Sequence, residues 1–265
     1  MQRINKNGLE VLKFENEGFN GFTHGVFTRK GGVSEGQWTS LNQGSTVGDI
    51  REHVMENRKR AFDFFDRDLN SLYDVWQVHG NEIACADNPR KPDEPHIKAD
   101  AICTDNPDLT LFMRFADCVP IIVCDPTKGV AGIIHAGWKG TVNDIVGDAI
   151  KKIVKVYGVD SKNLIAGIGP SIGPDHYIVG NEVIQQAKDN FGSNAKDFLI
   201  EKDGTTSLDM WAANEYLLRQ QGVTVIERAN ICTACNLDDW YSHRKENGKT
   251  GRFGVLIAIK KDYRT

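Results

Sequence analysis

Three residues able to ligate a metal or act as a nucleophile or base each stand beside an apolar segment. Trp76-Gln77-Val78-His79-Gly80 carries a histidine next to a glycine. Ala116-Asp117-Cys118-Val119-Pro120 carries a cysteine between two apolar runs, and Gly132-Ile133-Ile134-His135 ends a third run in a histidine. Two imidazoles and a thiolate are a legitimate ligand set for a catalytic zinc with an open fourth position. The intervals between them match no local zinc pattern, so the set depends on a sheet gathering its strand ends, where α/β ligand sites form. The same residues support a second reading, with Cys118 as nucleophile and His135 as its base. Taken singly, each has a plainer reading: a buried core thiol or a hydrogen-bonded structural histidine.

Other signals concern anions. After His135 the chain runs through Gly137 and Gly140 towards Thr141. A strand–glycine turn–helix junction presents free backbone N–H groups and a positive helix end, to which Lys139 adds a cation. Two glycine-punctuated basic turns, around Arg29 and from Arg244 to Arg252, could fork onto a phosphate. Cys232-Thr233-Ala234-Cys235 is the most visible metal-like motif. A structural zinc needs two further ligands and no second such pair exists, so these two are expected to be structural thiols.

These residues need elements to position them. Apolar, β-prone segments predict strands at 9–15, 24–28, 109–115, 120–124, 130–135, 164–168, 223–227 and 253–259, and the stretch 74–85 is β-prone. Helices are expected near 50–66 with Asp49 as N-cap, from Thr141 onward with a stripe of Val142, Ile145, Val146, Ala149, Ile150, Ile153 and Val154, and at 181–191 and 208–221. Strands and helices alternating in this way predict an α/β fold, with a mixed-sheet α+β arrangement as the variant. The proline-rich stretch 88–95 reads as a surface loop, so residues 1–265 are expected to form a single domain.

Composition narrows the partners. The chain has 265 residues, 40% hydrophobic and 26% charged, with 32 basic against 36 acidic side chains. That suits a soluble globular protein and argues against a dedicated nucleic-acid binder. No apolar run approaches the length needed to span a bilayer, and Met1–Asn7 lacks the apolar stretch of a signal peptide. Six cysteines in this length are too few for a disulfide scaffold. A cytoplasmic protein, monomeric or homodimeric, is expected.

In order, Phe-Thr-Arg-Lys-Gly-Gly-Val-Ser (27–34), Ser-Leu-Asn (40–42), Val-Gly-Asp (47–49), Gln-Val-His-Gly (77–80), Ala-Asp-Ala (99–101), Ala-Asp-Cys-Val-Pro (116–120), His-Ala-Gly-Trp-Lys-Gly (135–140), Gly-Pro-Ser-Ile-Gly-Pro (169–174) and Thr-Gly-Arg (250–252) span nearly the whole chain. This series resembles the multicopper polyphenol oxidase, or laccase-domain, family, now regarded as purine nucleoside phosphorylases. The resemblance implies a compact α/β domain similar to a toxin deamidase that uses a Cys/His pair. It also implies a zinc site on His79, Cys118 and His135. One departure stands out: many relatives carry a cysteine after the Gly-Pro-Ser-Ile-Gly-Pro segment, where this chain has Asp175 and His176.

The resemblance implies phosphorolysis of adenosine, inosine, guanosine and methylthioadenosine, together with adenosine deamination. Cys118, His135 and Asp117 are then the expected catalytic residues, Asp117 orienting a ligand or moving a proton. Arg29, Asn42, Lys139, Arg244 and Arg252 are expected to bind substrate and phosphate. Zinc is the expected metal, with copper as the other candidate. A blue-copper oxidase fits poorly, because the seven histidines include no His-x-His pair. A Cys/His hydrolase or deamidase, a copper-dependent polyphenol oxidase and a non-catalytic binding module remain alternatives.

Overall fold

The computed structural model describes residues 1–91 and 94–261. Strands β1 (Gln2–Lys6), β2 (Leu9–Lys13) and β3 (Phe22–Phe27) open the chain, and helix α1 (Arg51–Phe64) follows. Next come β4 (Leu72–Tyr73), β5 (Ile83–Cys85), β6 (Ala101–Thr104), β7 (Thr110–Phe115), β8 (Val119–Asp125) and β9 (Val130–Ala136). Helices α2 (Trp138–Val142) and α3 (Ile145–Tyr157) then lead to β10 (Ile165–Ile168) and α4 (Asn181–Phe191). The chain ends with β11 (Leu199–Lys202), β12 (Thr205–Leu208), α5 (Met210–Gln220), β13 (Val225–Arg228) and β14 (Phe253–Ile259).

Two six-stranded sheets carry the architecture, in the orders β1-β2-β3-β14-β7-β4 and β13-β10-β8-β9-β6-β5. Both are mixed: β8, β9, β6 and β10 pair antiparallel, whereas β5–β6, β10–β13 and β4–β7 are parallel. The strand sequences explain the layering. All seven residues of β8 are buried. Val119, Ile121 and Val123 point to a helical layer with Ile145, Ala149 and Ile153 of α3, while Ile122 and Cys124 point to the other sheet. A strand buried on both faces reads as an unbroken apolar run, although its side chains alternate between two cores. The outer face of the first sheet buries Val11, Phe27, Phe112 and Leu256 under Ala61 and Phe62 of α1. The order is therefore helix, sheet, sheet, helices, with each buried Val, Ile or Phe contributing about 1.5–3 kcal/mol.

Several expectations shift. In 74–85 only Ile83–Cys85 forms a strand; the middle is a loop in which His79 takes a left-handed conformation with φ 59°. Thr141 does not start the long helix. Gly137 opens the short α2, and Asp144 caps α3 by accepting from Gly147 N–H at 2.8 Å. Thr141 is instead buried against Asn214. Asp49 does not cap α1, whose N-cap is Ile50; its carboxylate receives Ser34 and Asn42. The segment 208–221 begins as the end of β12, and Asp209 caps α5. Of the loop at 88–95, Pro92 and Asp93 lie outside the described residues.

His24 on β3 is 2% exposed, stacked beside Phe14 and Phe19, and its Nε2 accepts the Phe14 N–H at 3.1 Å. Burial, aided by the charge of Lys13, pushes its pKa down to about 4. Below the ordinary value of about 6.5 the unfolded chain binds a proton that the folded chain refuses, so this stability is present near neutrality and lost as pH falls towards 4. The loss amounts to about 3 kcal/mol. His24→Gln is expected to flatten the fall in urea midpoint between pH 7 and pH 4.5. An unchanged slope in that variant would assign the pH dependence to other groups.

Candidate functional site

Antiparallel pairing brings two of the three candidate residues together. Pro120 on β8 sits opposite His135 on β9, so Cys118, just before β8, lies beside the end of β9. The convergence thus joins the start of one strand to the end of its neighbour. Asp117 makes the turn possible: it holds φ 77°, which an aspartate tolerates better than most residues, and its carboxylate receives Thr233 Oγ1 and the Arg244 N–H, each at 2.6 Å.

The third residue is placed by a carboxylate, Asp100, to which no role was assigned from the sequence. Asp100 is buried just before β6, and its oxygens accept the backbone N–H groups of Val78 (3.1 Å), His79 (2.9 Å) and Gly80 (2.7 Å). The same carboxylate contacts His135 Nδ1 at 2.8 Å, and its backbone carbonyl accepts the His135 N–H at 2.7 Å. With Nδ1–H donating to Asp100, His135 presents Nε2 to the site. It is thus Asp100 that hydrogen-bonds both the His135 ring and the His79 loop, whereas Asp117 ties the Cys118 turn to the loops behind it.

The ligand atoms of His79, Cys118 and His135 all lie within 4.8 Å of one another, and Cys118 Sγ is 3.7 Å from His79 Nε2. Ligands on one tetrahedral zinc are separated by roughly 3.3–3.8 Å, as Zn–N and Zn–S bond lengths require. Gly137 leaves the space for this. A Cβ there would fall 2.9 Å from His79 Cδ2 and 3.1 Å from Cys118 Sγ. The donor set, one thiolate and two imidazoles, suits zinc or copper. The residues present therefore fit a metal.

Burial works to raise the Cys118 thiol, but the charge of His135 and hydrogen bonds from His135 and His79 outweigh it and bring the pKa down to about 6. For His135, burial acts downwards; Cys118 and Asp100 overcome it and lift the ring to about 9. The pair thus favours a thiolate beside an imidazolium, and a metal on Nε2 would take the place of the proton there while Nδ1–H stays on Asp100. Asp100 itself is held below the usual carboxylate range, because His135 and the Gly80 and Val78 N–H groups outweigh its burial.

The triad lines a cavity of about 310 Å³, shared with Gly44, Ser45, Thr46, Trp76, His96, Arg114, His243 and Arg252. Among the anion-binding candidates, Arg252 is the one that reaches it. Its Nη1 is bound by the carbonyls of Thr250 and Gly251, while Nε and Nη2 have no hydrogen-bond partner among the described residues. Asn42 is fully buried; its Oδ1 accepts the Arg252 N–H at 2.8 Å, so it positions the arginine from behind. Arg29 is placed elsewhere. Its guanidinium stacks on Tyr241 and is taken up by Glu246 and the carbonyls of Thr39, Leu237 and Trp240. Arg244 stacks on Tyr177 and donates to the Ile178 carbonyl, and Lys139 lies over Trp138; neither lines the cavity.

Arg114 and His96 were not singled out by their sequence context. Both are held at the cavity wall by the fully buried Asp74, which also receives Arg90 and lies 3.7 Å from Arg58. A web joining α1, β7 and two loops has no short-range spacing to reveal it. The Cys232/Cys235 pair also gains unexpected neighbours, since Asp175 and His176 lie within metal-ligand reach of both thiols.

The family model described as multi-copper polyphenol oxidoreductase laccase matches residues 23–260. A Bacillus subtilis (strain 168) protein named purine nucleoside phosphorylase YlmD is 33% identical over 266 residues, covering 97% of this chain and 92% of the relative. A Deinococcus radiodurans purine nucleoside phosphorylase is 34% identical over 255 residues, covering 95% of this chain and 94% of the relative. Among solved structures, YlmD from Geobacillus stearothermophilus superposes with a TM-score of 0.91 at 30% identity, covering 97% of this chain and 98% of that one. With a family match across most of its length and likenesses of this extent in sequence and fold, the chain belongs to the multi-copper polyphenol oxidoreductase laccase family.

Proposed function

We propose that this chain is an enzyme that cleaves purine nucleosides by phosphorolysis, accepting adenosine, inosine, guanosine and methylthioadenosine, and that it deaminates adenosine at the same centre. The observation that carries the reading is the shared cavity: the His79–Cys118–His135 cluster and the unpaired N–H groups of Arg252 face one space of small-ligand size. The relatives' names as purine nucleoside phosphorylases point the same way.

In phosphorolysis a phosphate oxygen attacks C1′, the glycosidic bond breaks, and its electron pair leaves with the purine. Arg252 Nε and Nη2 would hold the phosphate by charge-assisted hydrogen bonds, with the hydroxyls of Ser45 and Thr46 nearby. Trp76, half exposed at the rim, offers the purine a flat apolar face. Asp100 keeps His135 Nε2 and the 78–80 loop aimed at the centre. Zinc held by His79, Cys118 and His135 would supply a Lewis acid and a water acidified to a pKa of about 7, which is what deamination needs. Copper on the same ligands, with polyphenol oxidation, is the reading that a metal exchange would test.

A second reading rests on a specific observation. The ionised Cys118–His135 pair is also the machinery of a metal-free cysteine hydrolase or deamidase, in keeping with the expected likeness to a toxin deamidase. Alkylation separates the two readings, because a metal-bound thiolate is protected and a free one reacts quickly.

His135→Ala is expected to lower zinc content by about one equivalent per chain, since two remaining ligands seldom retain the ion. Asp100→Asn keeps all three ligands but loosens their orientation, and is expected to weaken zinc binding about 10–100-fold in competition with a chromophoric chelator. Unchanged affinity in the latter would remove the orienting role assigned to Asp100. For the anion site, inosine cleavage is expected to give ribose 1-phosphate and hypoxanthine and to saturate with phosphate. Arg252→Ala should lower its efficiency about tenfold to a hundredfold at unchanged zinc content. Deamination should continue without phosphate. Free ribose as the product would make the enzyme a hydrolase.

A further inference from the structure

We propose that Asp175, His176, Cys232 and Cys235 form a second zinc site, structural and closed, separate from the cavity. The sequence showed a lone Cys-x-x-Cys pair, and two more ligands were wanting. The fold supplies them from the loop after β10. Ser171 and Cys232 are bridged in parallel, with Ser171 N–H bound to the Ile231 carbonyl and Thr233 N–H to the Ser171 carbonyl. This clamps the two loops side by side, so that residues 175–176 and 232–235 face each other.

The four ligand atoms lie within 4.8 Å of one another. Cys235 Sγ is 3.0 Å from Asp175 Oδ2 and 3.3 Å from His176 Nδ1; His176 Nδ1 is 3.8 Å from Cys232 Sγ and 3.0 Å from Asp175 Oδ2. The two His176–sulfur separations match the edges of a tetrahedron around a zinc ion, roughly 3.3–3.8 Å from the bond lengths to S, N and O, and the two to Asp175 Oδ2 are a few tenths of an ångström shorter. Two sulfurs, one imidazole and one carboxylate fill all four positions, which is the pattern of a structural site. Cys232 Sγ also accepts the Gly173 N–H at 3.2 Å, a contact that favours the thiolate. Gly173 is needed for this approach: a Cβ there would come 2.6 Å from Asp175 Oδ1 and 3.2 Å from Cys232 Cβ.

The position gives the ion a task. Thr233 Oγ1 and the Ile172 N–H both donate to Asp117, the residue whose turn presents Cys118. A zinc joining 175–176 to 232–235 would fasten the two loops that hold that turn.

The test uses the full-length Cys118→Ala protein, which removes the thiolate of the cavity and so isolates the second site whatever the enzyme's activity. Titrated with zinc chloride against a chromophoric chelator, it is expected to bind about one equivalent per chain. Loaded with Co²⁺ instead, it should show an intense near-ultraviolet thiolate-to-cobalt band. Adding Cys232→Ser and Cys235→Ser should abolish both signals, and His176→Gln, a milder change, should weaken zinc binding at least tenfold with near-UV circular dichroism retained. Zinc-saturated wild-type protein should resist alkylation at the exposed Cys235 until chelator is added. Failure of Cys118→Ala to bind zinc, a Cys232–Cys235 disulfide in freshly purified protein, or rapid alkylation of Cys235 with zinc present would overturn the proposal. None of these outcomes bears on phosphorolysis at the cavity, which is assayed separately.

Discussion

A buried carboxylate is costly unless its oxygens are fully used, and Asp100 uses them to hold the centre together. It receives three consecutive N–H groups from the His79 loop and the Nδ1 of His135, while its own carbonyl takes the His135 N–H. A left-handed φ of 59° at a histidine persists only when surrounding contacts impose it. Asp100 imposes it, and in doing so aims one imidazole while fixing the tautomer of the other. The pairing of β6 with β9 places Asp100 beside His135. Sheet register, loop conformation and ligand orientation therefore all meet at one side chain.

The remaining architecture builds the walls around that meeting point. One wall rests on β8 and β9, buried on both faces between the second sheet's helices and the first sheet. The opposite wall hangs on Asp74, whose carboxylate is held well below its usual range: burial opposes ionisation, and His96, Arg114 and Arg58 more than offset it. Such a web fixes Arg114 and His96 at the cavity wall with their nitrogens turned to Asp74. Arg252 differs, because backbone carbonyls occupy only one of its nitrogens. Among the described residues that line the cavity, the guanidinium with N–H groups still open to an anion is therefore that of Arg252, although the sequence offers basic residues at several turns.

Behind the cavity, the loops at 169–176 and 231–244 do for Cys118 what Asp100 does for the histidines. Asp117 is their anchor: it accepts from Thr233 and Arg244 and gives its carbonyl to Ile172. Arg29 serves the same wall from the other side, drawing together Thr39, Leu237, Trp240 and Glu246. Residues with the chemistry of phosphate ligands can equally serve as cross-links between loops, and the number of carbonyls already bound distinguishes the two.

The sequence by itself singled out His79, Cys118 and His135 as donor residues beside apolar runs, and the structure brings their ligand atoms within 4.8 Å of one another. The sequence also determined most of the elements: the stripe of α3, the span 181–191 and the runs of β7, β8, β9 and β14 are local patterns of side-chain burial, and local patterns are what a sequence displays. Short or irregular pieces escaped it. The 74–85 stretch has strand-like composition, but Asp100 bends it into a loop through hydrogen bonds made twenty or more residues away. The tertiary structure alone decided which charges were free, which were spent, and which carboxylate orients the histidines. It also decided that Asp175 and His176 stand against Cys232 and Cys235. Each of those facts is a contact between distant segments, set by strand order and register, and neither order nor register is written in the spacing of residues along the chain.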